Sequence, residues 1–512
     1  MDLLRTKSVE QSLADADEPE YKLKKTLSAL DLTVFGIGVI VGAGIFTLTG
    51  RVAHNVAGPA IVISFVIAAV CCALAAMCYA EFASTVPVSG SAYTFSYAAL
   101  GEIFAWVIGW DLILEMFLAV SVVAQGWSQY FETFLDMLAG YSGDQHVLPP
   151  EISSGTGVDV PAMVLILLLG ALMIIGIKES LRVNLVLVCL KLFIVLFVVI
   201  AGLRFVRPEN WANFIPPSGP PPADAAEVTF WTQPLIQFFS AATPSAYGVS
   251  GVFAGAALVF FAYIGFDIVA TTAEEARNPK RDVPIGVIAS LVICTVLYCA
   301  VSLVVTGMVP YDKLTPTASL ANAFVTLGEG WMATVIAAGA VAGLCTVVLT
   351  MLVGSSRLIF AMCRDGLLPV TLARVHPKYR TPHVIGAGVT VICALVAGFT
   401  QVGILEEMVN IGTLTAFVLV SVAVLVLRKR RPDLHRPFKV PGVPVVPVLS
   451  ALICLYLMAN LTVETWLRFL IWLVIGFVVY FTWSHRHARL NTGVTLHEEA
   501  VREHRAVDPD LR

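Results

Sequence analysis

Charged residues are scarce in this sequence. Only 13% of its 512 residues are Asp, Glu, Lys or Arg, whereas 58% are hydrophobic. Soluble domains carry roughly a quarter charged residues, so this scarcity excludes an ordinary soluble globular protein. We predict a polytopic membrane protein that is surrounded by the lipid bilayer and has no nucleic-acid partner.

Motifs of catalysis are missing as well. All nine histidines fall in loops, at the ends of apolar segments or in the tail, and there is neither an HExxH motif nor a Walker loop. We therefore expect no enzyme, no metal site and no cofactor. The ten cysteines lie in or beside apolar segments, which is typical of small buried side chains rather than of a disulfide framework. No apolar run precedes residue 32, so we expect no signal peptide.

Long apolar segments are what the sequence has in abundance. A helix needs about 20 apolar residues to cross a bilayer, and helices satisfy their own backbone groups in lipid. The sequence predicts an all-α membrane protein with twelve spans, at residues 32–50, 58–80, 98–124, 160–178, 183–205, 251–272, 284–308, 332–359, 384–401, 404–427, 445–463 and 467–484.

The basic residues predict the orientation of these spans. If the N-terminus is inside, the outer side holds only five of the 32 Lys and Arg residues, namely Arg51, Arg204, Arg207, Lys313 and Arg468. Loops on the cytoplasmic side are enriched in Lys and Arg. We therefore predict a multi-pass protein of the cell (inner) membrane with a cytoplasmic segment 1–31, an extracellular Pro-rich loop 206–250 and a cytoplasmic tail 485–512.

Glycine interrupts two of the predicted spans. The first span reads LTVFGIGVIVGAGIFTLTG, and the sixth contains Gly265 followed closely by Asp267. Glycine costs a helix about 1 kcal/mol relative to alanine. Interruptions five spans apart are typical of inverted repeats with broken helices at the bilayer midplane, although close helix packing also uses glycine. We predict two five-span repeats at 32–205 and 251–427, with two further spans within 428–484.

The helix ends that such breaks expose suit a zwitterion. N–H groups at GAGIF begin the second half of span one and suit a carboxylate. Carbonyl groups freed at FFAYIG in span six suit an ammonium group. The small residues Ala43 and Gly44 let a ligand approach the backbone. Because every α-amino acid carries both groups, the sequence predicts an amino acid site.

Three segments carry a resemblance to a known family: VEQSLADADEPEYKLKKTLSALDLTVFGIGVIVGAGIFTLTG, VFFAYIGFDIVATTAEEARNPKRDVPIG and SSRLIFAMCRDGLLP. They resemble the amino acid–polyamine–organocation superfamily, and more narrowly a bacterial form of its cationic amino acid transporter branch. The resemblance implies a five-plus-five repeat, alternating access, and proton-coupled rather than sodium-coupled import of L-amino acids. It leaves room for a small membrane subunit. An exchanger with the same site and a sensor that binds without transport stay open as alternatives.

The resemblance also implies roles for residues at the two breaks. The substrate carboxylate would bind the backbone of Ala43 and Gly44, beside Ile40. The substrate ammonium would meet the carbonyl groups of Phe261, Ala262 and Ile264, with the ring of Phe261 as a thin gate. Many relatives have Thr or Ser where this chain has Ala43, so a side-chain contact to the substrate is not expected there.

Lys191 is the one basic residue deep within a predicted span. It lies about eight residues from the inner end of span five, or roughly 12 Å at the rise of a helix. That depth disfavours snorkelling to the headgroups, which is the alternative reading. The resemblance implies that the ammonium group of Lys191 stands where sodium-coupled relatives hold a cation, between spans one, five and eight. We predict that Lys191 couples transport to protons.

Two further residues bear on the substrate side chain. Asp111 and Glu115 are four residues apart and so share a face of span three. The resemblance places Glu115 near the side-chain end of the site, where it could pair with a guanidinium or ammonium group; a structural acid is the alternative. Leu344 in span eight is predicted to face the same end and would crowd a long arginine. Glu115 thus favours cationic substrates and Leu344 favours small neutral ones, and the choice stays open.

Overall fold

The computed structural model describes residues 5–6, 27–85, 91–141, 145–153, 157–176, 181–219, 229–240, 246–271, 275–376, 378–379 and 381–488. Most of the predicted segment 1–31, the middle of loop 206–250 and the tail beyond residue 488 lie outside the described residues. Within the described residues the chain is helical, with only three isolated β-bridges. The helices are α1 (Ala29–Ile40), α2 (Thr49–Val52), α3 (Ile61–Thr85), α4 (Ser91–Ala99), α5 (Glu102–Ala139), α6 (Val160–Ile175), α7 (Leu181–Gly202), α8 (Leu235–Ser240), α9 (Gly248–Val259), α10 (Phe266–Thr271), α11 (Pro279–Met308), α12 (Ser319–Thr326), α13 (Gly330–Arg364), α14 (His383–Phe399), α15 (Val402–Arg430), α16 (Val445–Ala459), α17 (Val463–Val479) and α18 (His485–His487).

The helices have the length and surface of membrane spans. Among the described residues, eight stretches are long and apolar enough to cross a membrane, and α1, α6, α14 and α16 are shorter apolar helices. Large apolar side chains on the outside, such as Leu168, Val186 and Val474, are at least 60% exposed, as expected of a surface that faces lipid. The chain is therefore a multi-pass membrane protein. The count of twelve crossings, their orientation and the division into two repeats stay predictions.

Several helix boundaries differ from the predicted ones, and two of the differences have a clear physical cause. α11 begins at Pro279 rather than at residue 284, because Pro279 occupies the first turn, where its missing N–H group costs nothing, and Pro284 lies inside the helix. α5 continues past residue 124 to Ala139. Hydropathy misses this extension because it contains polar side chains that bind other helices. Gln125, for example, donates to the carbonyl oxygen of Ala397 at 2.7 Å.

The two interrupted spans are tied together near their predicted cytoplasmic ends. α1 starts with a capping box, in which the Ser28 hydroxyl accepts the N–H of Asp31 and the Asp31 carboxylate accepts the N–H of Ser28. Just before this cap, Leu27 donates its N–H to Glu275 O at 3.0 Å, and Arg277 donates to Leu27 O at 2.8 Å. These backbone bonds hold the start of α1 beside the segment that follows α10.

Close helix packing accounts for some of the glycines in the first span. A Cβ atom on Gly36 would lie 2.7 Å from the Ser290 hydroxyl of α11, and one on Gly50 would lie 2.3 Å from the Cβ of Ser319 in α12. At Gly36 and Gly50, close packing of helices therefore explains why the residue is glycine. Gly44 has a different role, which concerns the break itself.

Candidate functional site

The first predicted span is interrupted after Ile40. α1 ends there, Val41 leaves the helical conformation with φ −72° and ψ 86°, and a π-helical turn begins at Gly44. Ile40 and Ala43 are 2% and 1% exposed, so protein encloses the break. The N–H groups from Ala43 onward form the positive end of the second half-helix.

The sixth predicted span is interrupted between α9 and α10. Residues Phe260–Tyr263 form a single 3-10 turn, and Ile264 is extended with φ −61° and ψ 136°. Gly265 has φ +121°, a backbone conformation that favours glycine. The carboxylate of Asp267 accepts the N–H of Gly265 at 3.2 Å and so caps α10. Phe261, whose ring is the predicted gate, is 4% exposed.

The two interruptions touch each other. A Cβ atom on Gly44 would lie 2.3 Å from the Cα of Ala262, so only glycine fits at this contact. The hydroxyl of Tyr298 on α11 lies 2.8 Å from Ile40 O and 2.9 Å from Ala262 O, and it donates its one proton to either acceptor. The structure thus brings Ile40, Gly44 and Ala262 together from spans that are far apart in sequence.

Polar side chains that the sequence analysis did not single out hold the broken ends in place. Besides Tyr298, Tyr130 of α5 donates to Phe46 O at 2.6 Å, and Asn410 of α15 donates to Ala257 O at 2.9 Å. Buried backbone carbonyls in a membrane protein need such partners. A polar residue inside an apolar span was the available signal, but its acceptor depends on helix packing, which local sequence does not encode.

Lys191 contacts the first interrupted span. Its side chain is 1% exposed, and its Nζ donates to Gly38 O at 2.6 Å, two residues before α1 ends. The aliphatic part of the Lys191 side chain packs against α13, where a Cβ atom added to Gly343 would lie 2.8 Å from the Lys191 Cγ. The ammonium group therefore lies within the protein rather than at the headgroups, where α1, α7 and α13 meet, so the snorkelling alternative is not what the structure shows.

The remaining predicted residues lie on α5 and α13. Glu115 is 1% exposed and lies within electrostatic range of Asp267, just beyond the second interruption. Leu344 is completely buried. Three residues further along the same face of α13, Val347 lies against the first interruption, since a Cβ atom on Gly42 would be 3.4 Å from its Cγ1. Sequence analysis did not single out Val347.

Among the described residues, no group of three or more His, Cys, Asp or Glu side chains could hold a metal ion. All ten cysteines are free thiols. The polar groups found at the interruptions are backbone N–H and carbonyl groups, the Nζ of Lys191 and a few buried side chains.

Comparison with known proteins gives matches along nearly the whole chain. A family model described as amino acid permease matches residues 27–482. The branched-chain amino acid permease BcaP of Bacillus subtilis is 46% identical over 96% of this chain and 99% of its own length. The methylthioribose transporter of the same organism is 44% identical, with the same coverage of each chain. The vacuolar cationic amino acid transporter 4 of Arabidopsis thaliana is 38% identical over 84% of this chain and 68% of its own length.

Proposed function

Because the chain belongs to the amino acid permease family of the amino acid–polyamine–organocation superfamily, we propose that it is a secondary active transporter that imports L-amino acids by alternating access. The observation that carries this proposal is the contact of Gly44 with Ala262. At this contact, the start of a half-helix with free N–H groups meets a helix break with free carbonyl groups. A zwitterion is the ligand whose two charges match both.

In this proposal the backbone supplies the substrate contacts. The substrate carboxylate accepts N–H groups of Ala43 and Gly44, beside Ile40. The ammonium group donates to carbonyls in the turn from Phe261 to Ile264, where Tyr298 already binds one lone pair of Ala262 O. Backbone contacts suit every L-amino acid alike, so the side-chain pocket has to set the preference.

The proposed topology follows from the family and from the distribution of charge. Twelve spans, both termini in the cytoplasm and two inverted five-span repeats place the interruptions of spans one and six in opposite directions across the bilayer. A carrier built in this way exposes the site to one side at a time when one repeat moves against the other.

We further propose that import is driven by protons through Lys191. A charged ammonium on Gly38 O attracts the backbone of α1, whereas a neutral amine donates more weakly. Protonation of Lys191 would therefore favour one position of α1. The substrate and the coupling ion would then share one movable element, as alternating access requires.

Three relatives point to different substrates, and their names apply to those proteins. Branched-chain and cationic amino acids both fit the backbone site, and the buried carboxyl of Glu115 distinguishes them. Methylthioribose has neither a carboxylate nor an ammonium group, so it would have to use the pocket differently. We regard uptake of such a thiosugar as the second candidate, because the identity of 44% is almost as high as that of BcaP.

The test is counterflow in proteoliposomes containing the full-length protein. Vesicles loaded with an unlabelled amino acid should take up its labelled form from a dilute external pool. Thermal shift with the twenty amino acids and methylthioribose would first show which ligand to use. Binding without counterflow would support the sensor alternative. Counterflow with methylthioribose but with no amino acid would replace the proposal by the second candidate. Accumulation under an imposed proton gradient would distinguish symport from exchange.

A further inference from the structure

Two carboxyl groups inside the helix bundle have buried oxygen atoms that lack a hydrogen-bond partner among the described residues. Asp111 and Glu115 are one turn apart on α5, and each is 1% exposed. Both oxygens of Asp111 and the Oε1 of Glu115 have no hydrogen-bond partner among the described residues. Their positions four residues apart place them on one face of α5.

A third unpartnered group faces the same place. The hydroxyl of Tyr79 on α3 is buried, has no hydrogen-bond partner in the part of the chain that the structure describes, and lies within electrostatic range of Asp111, Glu115 and Asp267. From α15, the backbone at Gly412 approaches Asp111, where an added Cβ would lie 3.0 Å from the Asp111 Oδ1.

The groups around this acid pair carry no compensating positive charge. The titratable side chains that act on Glu115 are Asp267 and Asp111, and the side chain of Thr413 on α15 also faces it. No lysine, arginine or histidine among the described residues acts on Asp111 or Glu115. An isolated carboxylate in such surroundings costs far more than a neutral carboxyl group. Burial without a positive partner therefore favours the neutral form of both carboxyl groups.

Glu115 lies near the start of α10, which follows the proposed ammonium contacts. Glu115 is within electrostatic range of Asp267, which is three residues beyond Ile264, the last carbonyl of the proposed ammonium contacts. A substrate held at the two interruptions would have its α-carbon fixed by the backbone. A long side chain could then extend past the start of α10 toward Glu115.

We propose that Asp111 and Glu115 form a proton-loaded acid pair that exchanges one proton for the cationic side chain of a bound lysine-like amino acid. This inference rests on the proposed function. When the side-chain ammonium arrives, the O–H bond of the Glu115 carboxyl group breaks, the proton leaves to water, and the new carboxylate pairs with the ammonium. Asp111 keeps its proton and donates to that carboxylate. A neutral side chain leaves both protons in place.

This exchange has a consequence for the charge that is transported. The substrate brings one positive charge into the pocket and one leaves as a proton, so the loaded site has the same net charge with lysine as with leucine. One carrier could thus handle both substrate classes without burying an extra charge, whose cost would otherwise oppose the cationic class.

The experiment is isothermal titration calorimetry of the full-length protein in detergent, with lysine and with leucine, in two buffers that differ in ionisation enthalpy. The difference in heat between the buffers counts the protons released. Leucine is the reference, because any proton change at Lys191 is common to both substrates. We expect lysine to release about one proton more than leucine, and lysine affinity to rise by about tenfold per pH unit relative to leucine affinity.

Two variants locate the source of the proton. Glu115→Gln cannot ionise, so the extra proton release with lysine relative to leucine should disappear. Asp111→Asn keeps the shape of a protonated acid and should retain the release, because its amide can still donate to the Glu115 carboxylate. Asp433→Asn, at an exposed cytoplasmic acid, is the control and should behave as the wild type.

The outcomes separate this inference from the proposed function. Equal proton release with lysine and leucine would overturn the exchange, as would extra release that persists in Glu115→Gln. Binding of leucine without any binding of lysine would also overturn it, and the proposed transport of amino acids would stand. If no amino acid binds, the proposed function fails and the exchange falls with it.

Discussion

The side-chain Nζ of Lys191 lies 2.6 Å from the carbonyl oxygen of Gly38, so an ionisable group inside a predicted span binds the backbone of an interrupted helix. This bond connects the only basic side chain deep within a predicted span to the element that the proposed substrate also contacts. The connection gives the proton-coupling proposal a direct genetic test.

Lys191→Ala should abolish proton-driven accumulation and leave binding largely intact. Without the ammonium group, protonation no longer biases α1, and a carrier without coupling can only equilibrate its substrate. The ratio of internal to external substrate under an inward proton gradient should fall to about 1, whereas counterflow without a gradient should persist.

Lys313→Ala is the matched control, because Lys313 is an exposed lysine in the short turn after α11. It should accumulate substrate like the wild type. Wild-type accumulation and pH dependence in Lys191→Ala would show that the proton is carried elsewhere.

Gly44→Ala tests the contact of the two interruptions. Its Cβ would lie 2.3 Å from the Ala262 Cα, so one of the two backbones has to move, and a shift costs about 1–3 kcal/mol in a packed interior. Because both backbones also form the proposed site, substrate affinity should fall by at least about tenfold. The measurement is a substrate titration followed by thermal shift.

Gly388→Ala provides the comparison within the same protein. Gly388 lies inside α14, and an added Cβ would meet nothing within 4 Å. This variant should bind substrate normally and gain up to about 1 kcal/mol from helix propensity. Similar affinities in the two variants would show that the Gly44 contact is not part of the site.

The family and the two interruptions could be predicted from local sequence. The resemblance of the three segments is confirmed by the family model that covers residues 27–482. Gly265 and Asp267 lie two residues apart in the sequence and act together in the structure, where the carboxylate caps the helix start next to the positive φ of the glycine. Such signals are local because glycine conformation and capping involve residues only a few positions apart.

What could not be predicted depends on contacts between distant helices. Tyr298 lies in the seventh predicted span, yet its hydroxyl binds carbonyls of the first and sixth predicted spans. Val347, which the sequence analysis did not single out, reaches the first interruption from α13. The periodicity of an apolar helix does not tell which neighbour each face will meet, because all its faces are apolar.

Tyr298→Phe tests the bridge between the interruptions. Phenylalanine keeps the ring and removes the hydroxyl, so Ile40 O and Ala262 O lose a donor in a buried place. Leaving such acceptors without a partner costs about 1–3 kcal/mol. We expect a lower melting temperature in detergent and weaker substrate binding.

Tyr456→Phe is the control for Tyr298→Phe, since the side chain of Tyr456 on α16 is 40% exposed. Its melting temperature should match that of the wild type. If Tyr298→Phe is equally stable and binds substrate equally well, the hydroxyl does not hold the interruptions together.

An ion pair joins the predicted outer end of the first interrupted span to α15. Arg51 pairs with Glu406, whose side chain is only 1% exposed. Removing one partner of a buried pair leaves an uncompensated charge and costs about 3–5 kcal/mol. Arg51→Met should therefore lower the melting temperature strongly, and adding Glu406→Gln in the same chain should recover much of the loss, because the second substitution removes the stranded charge.

The pair of Arg468 and Glu464 on α17 tests whether burial or charge pairing is the cause of the expected fall in melting temperature. It contains the same chemical groups, but its side chains are 30% and 38% exposed, and pairs in contact with water contribute about 0–1 kcal/mol. Arg468→Met should therefore change the melting temperature little. If Arg468→Met and Arg51→Met lower it by the same amount, burial of Glu406 is not what makes the Arg51 pair important, and the expected rescue by Glu406→Gln should then be absent as well.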